Sequence, residues 1–190
     1  MNTHKLWCEK GHWSESQYQY VKELVESNQP VYCLETGFCT GRSAFSVLNS
    51  FDGIKTFITI DINFDYNPEG RKYKGLFEKE YKYFKAIENN SQKVLNKKFF
   101  ATEYPNGIDW FTVDGGHRKA MCSSDIENAL PYMNKGGIIL IDDYKSKPPG
   151  GCTMKGVTQA CDEIFEKYDD VLEKTEWNVN GKGICVFKII

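Results

Sequence analysis

Short apolar runs rich in β-branched and aromatic residues recur along the chain, separated by stretches whose apolar positions return every three or four residues. The first rhythm reads as buried strands and the second as amphipathic helices. Ser14 and Gln17 stand at capping-box spacing and open a helix through Ser27, with Tyr18, Val21, Leu24 and Val25 on one face. Strands are expected at Val31 to Glu35, Thr56 to Asp61, Phe84 to Ile87, Trp110 to Val113 and Ile138 to Ile141, the last led in by Lys135-Gly136-Gly137. Helices are expected over Ser43 to Leu48, Leu76 to Lys82, a short piece from Ser91, Asp125 to Met133 and Val157 to Tyr168. Asn67-Pro68-Glu69-Gly70 is turn chemistry, and Lys145 to Thr153, with its Pro-Pro-Gly-Gly, is a loop. Two final strands near Val171 to Trp177 and Gly183 to Ile189 flank Asn180-Gly181, a hairpin signal. The alternation predicts an α/β fold: a mostly parallel sheet with helices on both faces and a C-terminal antiparallel hairpin.

Neither repeat nor linker interrupts this order, so residues 1–190 are expected to form one domain, with 1–30 as an N-terminal helical segment. A net charge of -2 supplies no basic field for nucleic acid, and Lys97-Lys98 reads as solvated surface. No apolar run is long enough to cross a bilayer and no signal-type segment follows the N-terminus, which makes a cytoplasmic location the expectation. The seven cysteines show no C-x-x-C pair; Cys33, Cys161 and Cys185 fall in apolar patterns and read as reduced core residues.

Candidate chemistry starts at Glu35-Thr36-Gly37-Phe38-Cys39-Thr40-Gly41. An acid ends a strand, and two glycines four apart lead into a helix, the place where α/β folds hold nucleotide-like cofactors. Gly37 allows close approach to the backbone, and Gly41 lets the helix pack against the strand. The spacing is neither G-x-G-x-x-G nor a phosphate-binding Gly-Lys-Ser/Thr loop. Asp61 closes the second strand about 20 residues on, where a carboxylate accepts ribose hydroxyls. An ordinary βα turn without ligand is the alternative for the glycines alone.

With these motifs in order, the chain resembles the class I S-adenosylmethionine-dependent methyltransferases, whose sheet is Rossmann-like. Within them it is similar to the small metal-dependent O-methyltransferases of the catechol and macrolide-sugar (macrocin) types. The resemblance runs from about Val31 to Tyr144, carried by the acid-x-Gly-x-x-x-Gly motif, by Thr59-Ile60-Asp61-Ile62-Asn63 and by Asn90-Ser91-Gln92. It implies that Gly37 and Gly41 line the methionine part of the cofactor and that Ser43 donates to its carboxylate. Glu35 contacts the charged end indirectly, Asp61 binds the ribose, and Ser91 and Gln92 fix the adenine rim. For Ser91 a helix-capping role is the plain alternative.

Asp114 and His117 follow the Trp110 strand, and Asp142-Asp143 follow the Ile138 strand. Carboxylates converging at strand ends repel unless a cation or a proton relieves them, and oxygen donors suit Mg2+ or Mn2+. Loop and helix capping is the alternative for each acid taken singly. The resemblance implies metal ligands at Asp114, Asp142 and Asp143, with Asp where catechol enzymes carry Asn at the last position. Asp114 is also expected among the cofactor contacts and the catalytic residues. His117 stands where catechol enzymes carry a catalytic Lys and macrolide-sugar enzymes carry His; its imidazole suits a general base. His4 and His12 read as surface residues.

The expected activity is methyl transfer from S-adenosylmethionine to a hydroxyl of a small molecule or sugar, with a divalent cation. The loop from Lys145 borders the acceptor, and the aromatic N-terminus (Trp7, Trp13, Tyr18, Tyr20) is a candidate lid or homodimer face. Two alternatives share the fold: a metal-independent methyltransferase acting on nitrogen or a macromolecule, and a non-catalytic S-adenosylmethionine-binding subunit. A nicotinamide oxidoreductase conflicts with the glycine spacing and the hairpin.

Overall fold

The computed structural model describes residues 13–147 and 154–190. Seven strands form one sheet: β1 (Tyr32–Thr36), β2 (Thr56–Asp61), β3 (Phe84–Glu88), β4 (Ile108–Val113), β5 (Met133–Asp142), β6 (Leu172–Val179) and β7 (Lys182–Ile189). Their order is β3-β2-β1-β4-β5-β7-β6. The first five are parallel, and β7 inserts antiparallel between β5 and β6. The chain winds outward from β1 to β3, then returns to the other side of β1 with β4. The carboxyl ends of β1 and β4 therefore border the switch point of the sheet, where α/β folds leave a crevice.

Helix α1 (Glu15–Asn28) starts at the expected capping box: the Ser14 hydroxyl accepts from the Gln17 amide, and the Gln17 side chain accepts from the Ser14 amide. Helices α2 (Arg42–Leu48) and α3 (Gly70–Glu80) join α1 on one face of the sheet. There Val21, Phe45 and Phe77 pack with Cys33, Phe57, Trp110 and Leu140. On the other face, α4 (Ser91–Val94), α5 (Lys97–Glu103), α6 (Lys119–Ala129) and α7 (Lys155–Lys167) cover Leu34, Ile58, Phe111 and Ile139. Alternate residues of each central strand thus feed two separate cores, which is why Ile138 to Ile141 reads as an unbroken apolar run. At the sheet's end, Asn180 (φ 53°) and Gly181 (φ 77°) make the two-residue turn of the β6–β7 hairpin.

Several boundaries differ from the sequence reading. Helix α3 begins at Gly70 rather than Leu76, because Gly70, Tyr73 and Phe77 form a buried stripe. Helix α5 was not anticipated; Asn96 caps it by accepting from the Phe99 amide, and Phe100 carries its buried face. Helix α6 spans Lys119–Ala129 instead of Asp125 to Met133, because Pro131 falls in a 3-10 turn (Leu130–Tyr132) and Met133 already belongs to β5. Lys135-Gly136-Gly137 lies inside β5, where a register shift against β4 between Ile108 and Trp110 takes up the irregularity. Cys33, Cys161 and Cys185 are buried free thiols. His4, Trp7, His12 and the Pro-Pro-Gly-Gly of the loop lie outside the described residues. Among the described residues, no helix is long and apolar enough to cross a membrane.

Candidate active site

The β1–α2 loop wraps tightly at the head of the crevice. Gly37 has φ +86°, its amide donates to the Ile60 carbonyl at 2.8 Å, and the neighbouring Thr36 carbonyl accepts from the Asp114 amide at 2.8 Å. Gly41 (φ +78°) is the N-cap of α2; a Cβ there would stand 2.7 Å from the Phe38 ring and 2.8 Å from the Phe77 ring. Both glycines thus meet a positive φ and a close approach together. Asp61, at the end of β2, locks this loop: its Oδ2 accepts from the Phe38 and Cys39 amides at 2.8 and 3.2 Å, and its Oδ1 from Asn63 at 2.9 Å.

Behind the loop, Glu35 is fully buried and accepts from the hydroxyls of Ser43 and Thr59. Burial pushes its carboxyl up to about 7, against those two hydrogen bonds and with the Asp61 charge adding to the rise. Ser43 was expected to donate to the cofactor's carboxylate. Its single hydroxyl hydrogen goes to Glu35 instead, so it offers the crevice only lone pairs. Because folded Glu35 binds its proton more tightly than the unfolded chain does, it costs stability as pH rises through 4.5 towards 7. In the ligand-free protein that cost reaches about 3 kcal/mol above neutrality. Glu35→Gln is expected to flatten this fall in urea stability between pH 5 and 8; an unchanged slope would contradict it.

The reacting side gathers at the ends of β4 and β5. One ligand atom each from Asp114, His117 and Asp143 lie within 4.8 Å of one another, and His117 Nε2 is 3.1 Å from Asp143 Oδ2. Asp142, also expected in the metal set, is not one of these three; it lines the same crevice, and its Oδ1 accepts from Gln17 Nε2 at 2.9 Å. Burial first, then the charges of Asp142, Asp143 and Glu35, raise the Asp114 carboxyl well above its usual range. Burial and Asp143 raise Asp142 likewise. Asp143 is lowered despite its burial, because His117 hydrogen-bonds to it; the same bond raises the imidazole. Asp143 also holds φ +63°, a left-handed conformation that Asp tolerates better than most residues.

These groups line one crevice of about 530 Å3, which also takes in Gly37, Asp61, Ser91 and Lys182. Gln92 is exposed and lies outside its lining. The sequence reading missed Gln17 at the reacting end; Trp13, expected there only as part of an aromatic lid or dimer face, has its indole N–H buried beside Asp114 and Asp142 without hydrogen-bond geometry to either. A signal existed for Gln17: it shares the face of Val21 and Val25, a polar residue on an apolar stripe. Asp125, on the buried face of α6 with Cys122 and Ile126, carries the same signature.

A family model described as a methyltransferase domain matches residues 34–144, more than half of the chain and the segment that supplies most of this crevice. The chain belongs to the methyltransferase-domain family. Its fold is shared with solved O-methyltransferases. Among solved structures, this methyltransferase is similar to the Bacillus cereus O-methyltransferase in complex with SAH. The two share 14% identity over 98% of this chain and 86% of that one, with a TM-score of 0.73. TomG, the Streptomyces achromogenes O-methyltransferase of tomaymycin synthesis solved with SAM, is 15% identical over 94% and 81% of the two chains, with a TM-score of 0.72. The SAH-bound Podospora anserina methyltransferase PaMTH1 is 16% identical over 94% and 80%, also at 0.72. An uncharacterized protein of Acanthamoeba polyphaga mimivirus matches at 44% over 41 residues, which is 22% of this chain and only 19% of that protein.

The crevice fits a nucleoside cofactor: its volume falls in the range of ~300–1,000 Å3 typical of small-molecule sites, and its polar groups come from strand ends. The carboxylates Asp114 and Asp143 fit a divalent cation by donor chemistry, since their mutual repulsion in a partly desolvated wall is relieved by positive charge.

Proposed function

We propose that this chain transfers a methyl group from S-adenosylmethionine to a hydroxyl oxygen of a small molecule or sugar, with His117 as general base. The observation that carries the reading is the His117–Asp143 pair, 3.1 Å apart, at the end of the crevice opposite Ser91. S-adenosylmethionine supplies an electrophilic methyl on a sulfonium, and nothing beyond in-line displacement by an oxygen is required of the protein. Asp61 would accept from the ribose through the lone pairs that the loop amides leave on Oδ1. Asp143 accepts from Nε2–H, which leaves the lone pair of His117 on Nδ1; that atom takes the acceptor's proton, and the Asp143 charge stabilises the resulting imidazolium. Asp114 and Asp143 would hold a divalent cation, which lowers the pKa of a bound hydroxyl when present. A ligated imidazole cannot take a proton, so His117 cannot serve as ligand and base at once.

Two structural neighbours named as O-methyltransferases, one solved with SAH and one with SAM, support the donor and the oxygen acceptor, and PaMTH1, named a methyltransferase and solved with SAH, supports the donor. The deciding experiment is methyl transfer from labelled S-adenosylmethionine to a panel of hydroxyl acceptors, with Mg2+ and with chelator. Turnover abolished by the chelator and restored by Mg2+ supports the metal-assisted reading. Turnover indifferent to chelator moves the chain to the metal-independent class, and no turnover with any acceptor leaves a binding subunit.

The same reading predicts that Asp61→Ala weakens S-adenosylhomocysteine binding by about 10–100-fold, the worth of hydrogen bonds to a charged group. Part of that loss comes through the loop, because Asp61 also fastens the Phe38 and Cys39 amides. Calorimetry measures it; affinity within threefold of wild type (about 0.7 kcal/mol) would remove Asp61 from the site.

A further inference from the structure

Behind the Ser91 wall of the crevice lies a buried group with no part in the chemistry above. Asp125 is 1% exposed, and its Oδ1 accepts from the Ser91 hydroxyl at 2.8 Å. Its Oδ2 lies beside the equally buried Thr36 hydroxyl without hydrogen-bond geometry between them, and neither atom has another partner among the described residues. Burial of a carboxylate with an unsatisfied oxygen is costly, so a structural cap on Ser91 alone explains it poorly. Helix capping does not require the arrangement either, because Asn90 already caps α4 by accepting from the Gln92 amide at 2.9 Å.

The consequence lies in the Ser91 hydrogen. A carboxylate can only accept, so the hydroxyl must be the donor in this bond, and Ser91 has no second hydrogen to give. Ser91 lines the crevice while Asp125 stays behind it. The Ser91 oxygen therefore presents lone pairs, and lone pairs only, to whatever ligand edge arrives there.

We propose that Asp125 is a positioning residue for cofactor selectivity: by holding the Ser91 hydrogen it makes the Ser91 oxygen accept only, which at that contact selects an amino-bearing purine over its oxo counterpart. The inference rests on the S-adenosyl reading of the crevice, in which the ribose sits at Asp61 and the base extends towards Ser91. Adenine offers an exocyclic N–H to that oxygen. Hypoxanthine, its oxo counterpart, offers a carbonyl, and two acceptors then face each other without a hydrogen between them. Asp125 touches neither base; it acts through Ser91.

Replacing Asp125 by Asn changes the sign of this edge. An amide donates as well as accepts, so Nδ2–H can supply the Ser91 oxygen and free the hydroxyl hydrogen to turn towards the crevice. A donor there suits the carbonyl of hypoxanthine. A purely structural role for Asp125 would instead weaken both nucleosides alike.

The test is calorimetric binding of S-adenosylhomocysteine and S-inosylhomocysteine at pH 8 to wild type, Asp125→Asn, Ser91→Ala and the double variant. Burial pushes the Asp125 carboxyl up to about 6, so it is ionised at that pH. Wild type is expected to prefer the adenosyl compound by about 10-fold or more. Asp125→Asn should cut that preference by roughly 5-fold, Ser91→Ala should cut it too, and the double variant should match Ser91→Ala. An unchanged preference in Asp125→Asn, or the same cut from Asp125→Asn in the Ser91→Ala background, overturns the proposal. If Asp125→Asn does not fold, Ser91→Ala decides alone: a preference equal to wild type overturns it. Wild type that binds neither nucleoside overturns the S-adenosyl reading itself, whereas normal adenosyl binding with unaltered preferences sinks only the selectivity role.

Discussion

His117→Ala is expected to lower the methyl-transfer rate by roughly 10²–10⁴-fold, the usual contribution of a general base, and to leave S-adenosylhomocysteine affinity near wild type. The two effects separate because His117 sits with Asp143, while the nucleoside contacts proposed above are Asp61 and Ser91. The pH profile carries a second signature. Its hydrogen bond to Asp143, backed by the charges of Asp143 and Asp142, raises the imidazole above its ordinary value and outweighs the opposing effect of burial. A base must be unprotonated to act, so wild-type turnover should fall on the acid side as the imidazole takes a proton, above pH ~6.5 wherever Asp143 carries no cation, and this limb should vanish in His117→Ala. Asp143→Asn should move that limb to lower pH by removing the charge that holds the proton. Steady-state rates from pH 5.5 to 9 check all three; normal turnover in His117→Ala would end the base assignment.

Gly37→Ala is expected to damage fold and cofactor binding together. A Cβ at Gly37 would lie 2.1 Å from the Asp114 carbonyl oxygen and 2.5 Å from its carbon, and both are backbone atoms held by the β1–β4 ladder. No side chain can turn aside to relieve the clash, and φ +86° is unfavourable for alanine besides. The β1 loop would have to leave β4, opening the crevice at the cofactor and reacting ends together. The loss of stability should be about 3 kcal/mol or more, read from urea denaturation, with cofactor binding lost alongside it. Gly136→Ala is the control: it shares a positive φ of +80°, but nothing lies within 4 Å of the added carbon. Its cost should stay near 1–2 kcal/mol from backbone strain alone. Equal costs for the two substitutions would mean that the contact with Asp114 is not what forbids a side chain.

The sheet was legible because its central strands declare themselves by composition. Ile138 to Ile141 is buried on both faces, and Asn180-Gly181 has the chemistry its turn demands. Helix starts were harder to read. Gly70 and the lysines around it resemble a turn until the Tyr73–Phe77 stripe is recognised, and Lys97-Lys98 conceals the helix that buries Phe100. At the site, strand order brings Asp114, His117 and Asp143 together, and the strands that deliver them are plain in the sequence. The bond to Asp142 is different: it comes from Gln17, which is 125 positions away and reaches the site because α1 packs across the sheet. Ser43 and Asp61 show the same limit from another side. Their residue types announce polar contacts, but only the folded loop decides which lone pairs and hydrogens are already taken.

Calorimetric titration of the wild-type protein with S-adenosylhomocysteine tests the central claim most directly. A nucleoside crevice at the β1–β4 switch point predicts saturable binding at one site per chain, with the isotherm lost or strongly weakened in Asp61→Ala. Absence of any binding heat across conditions where the protein is folded, or equal binding by wild type and Asp61→Ala, would contradict it.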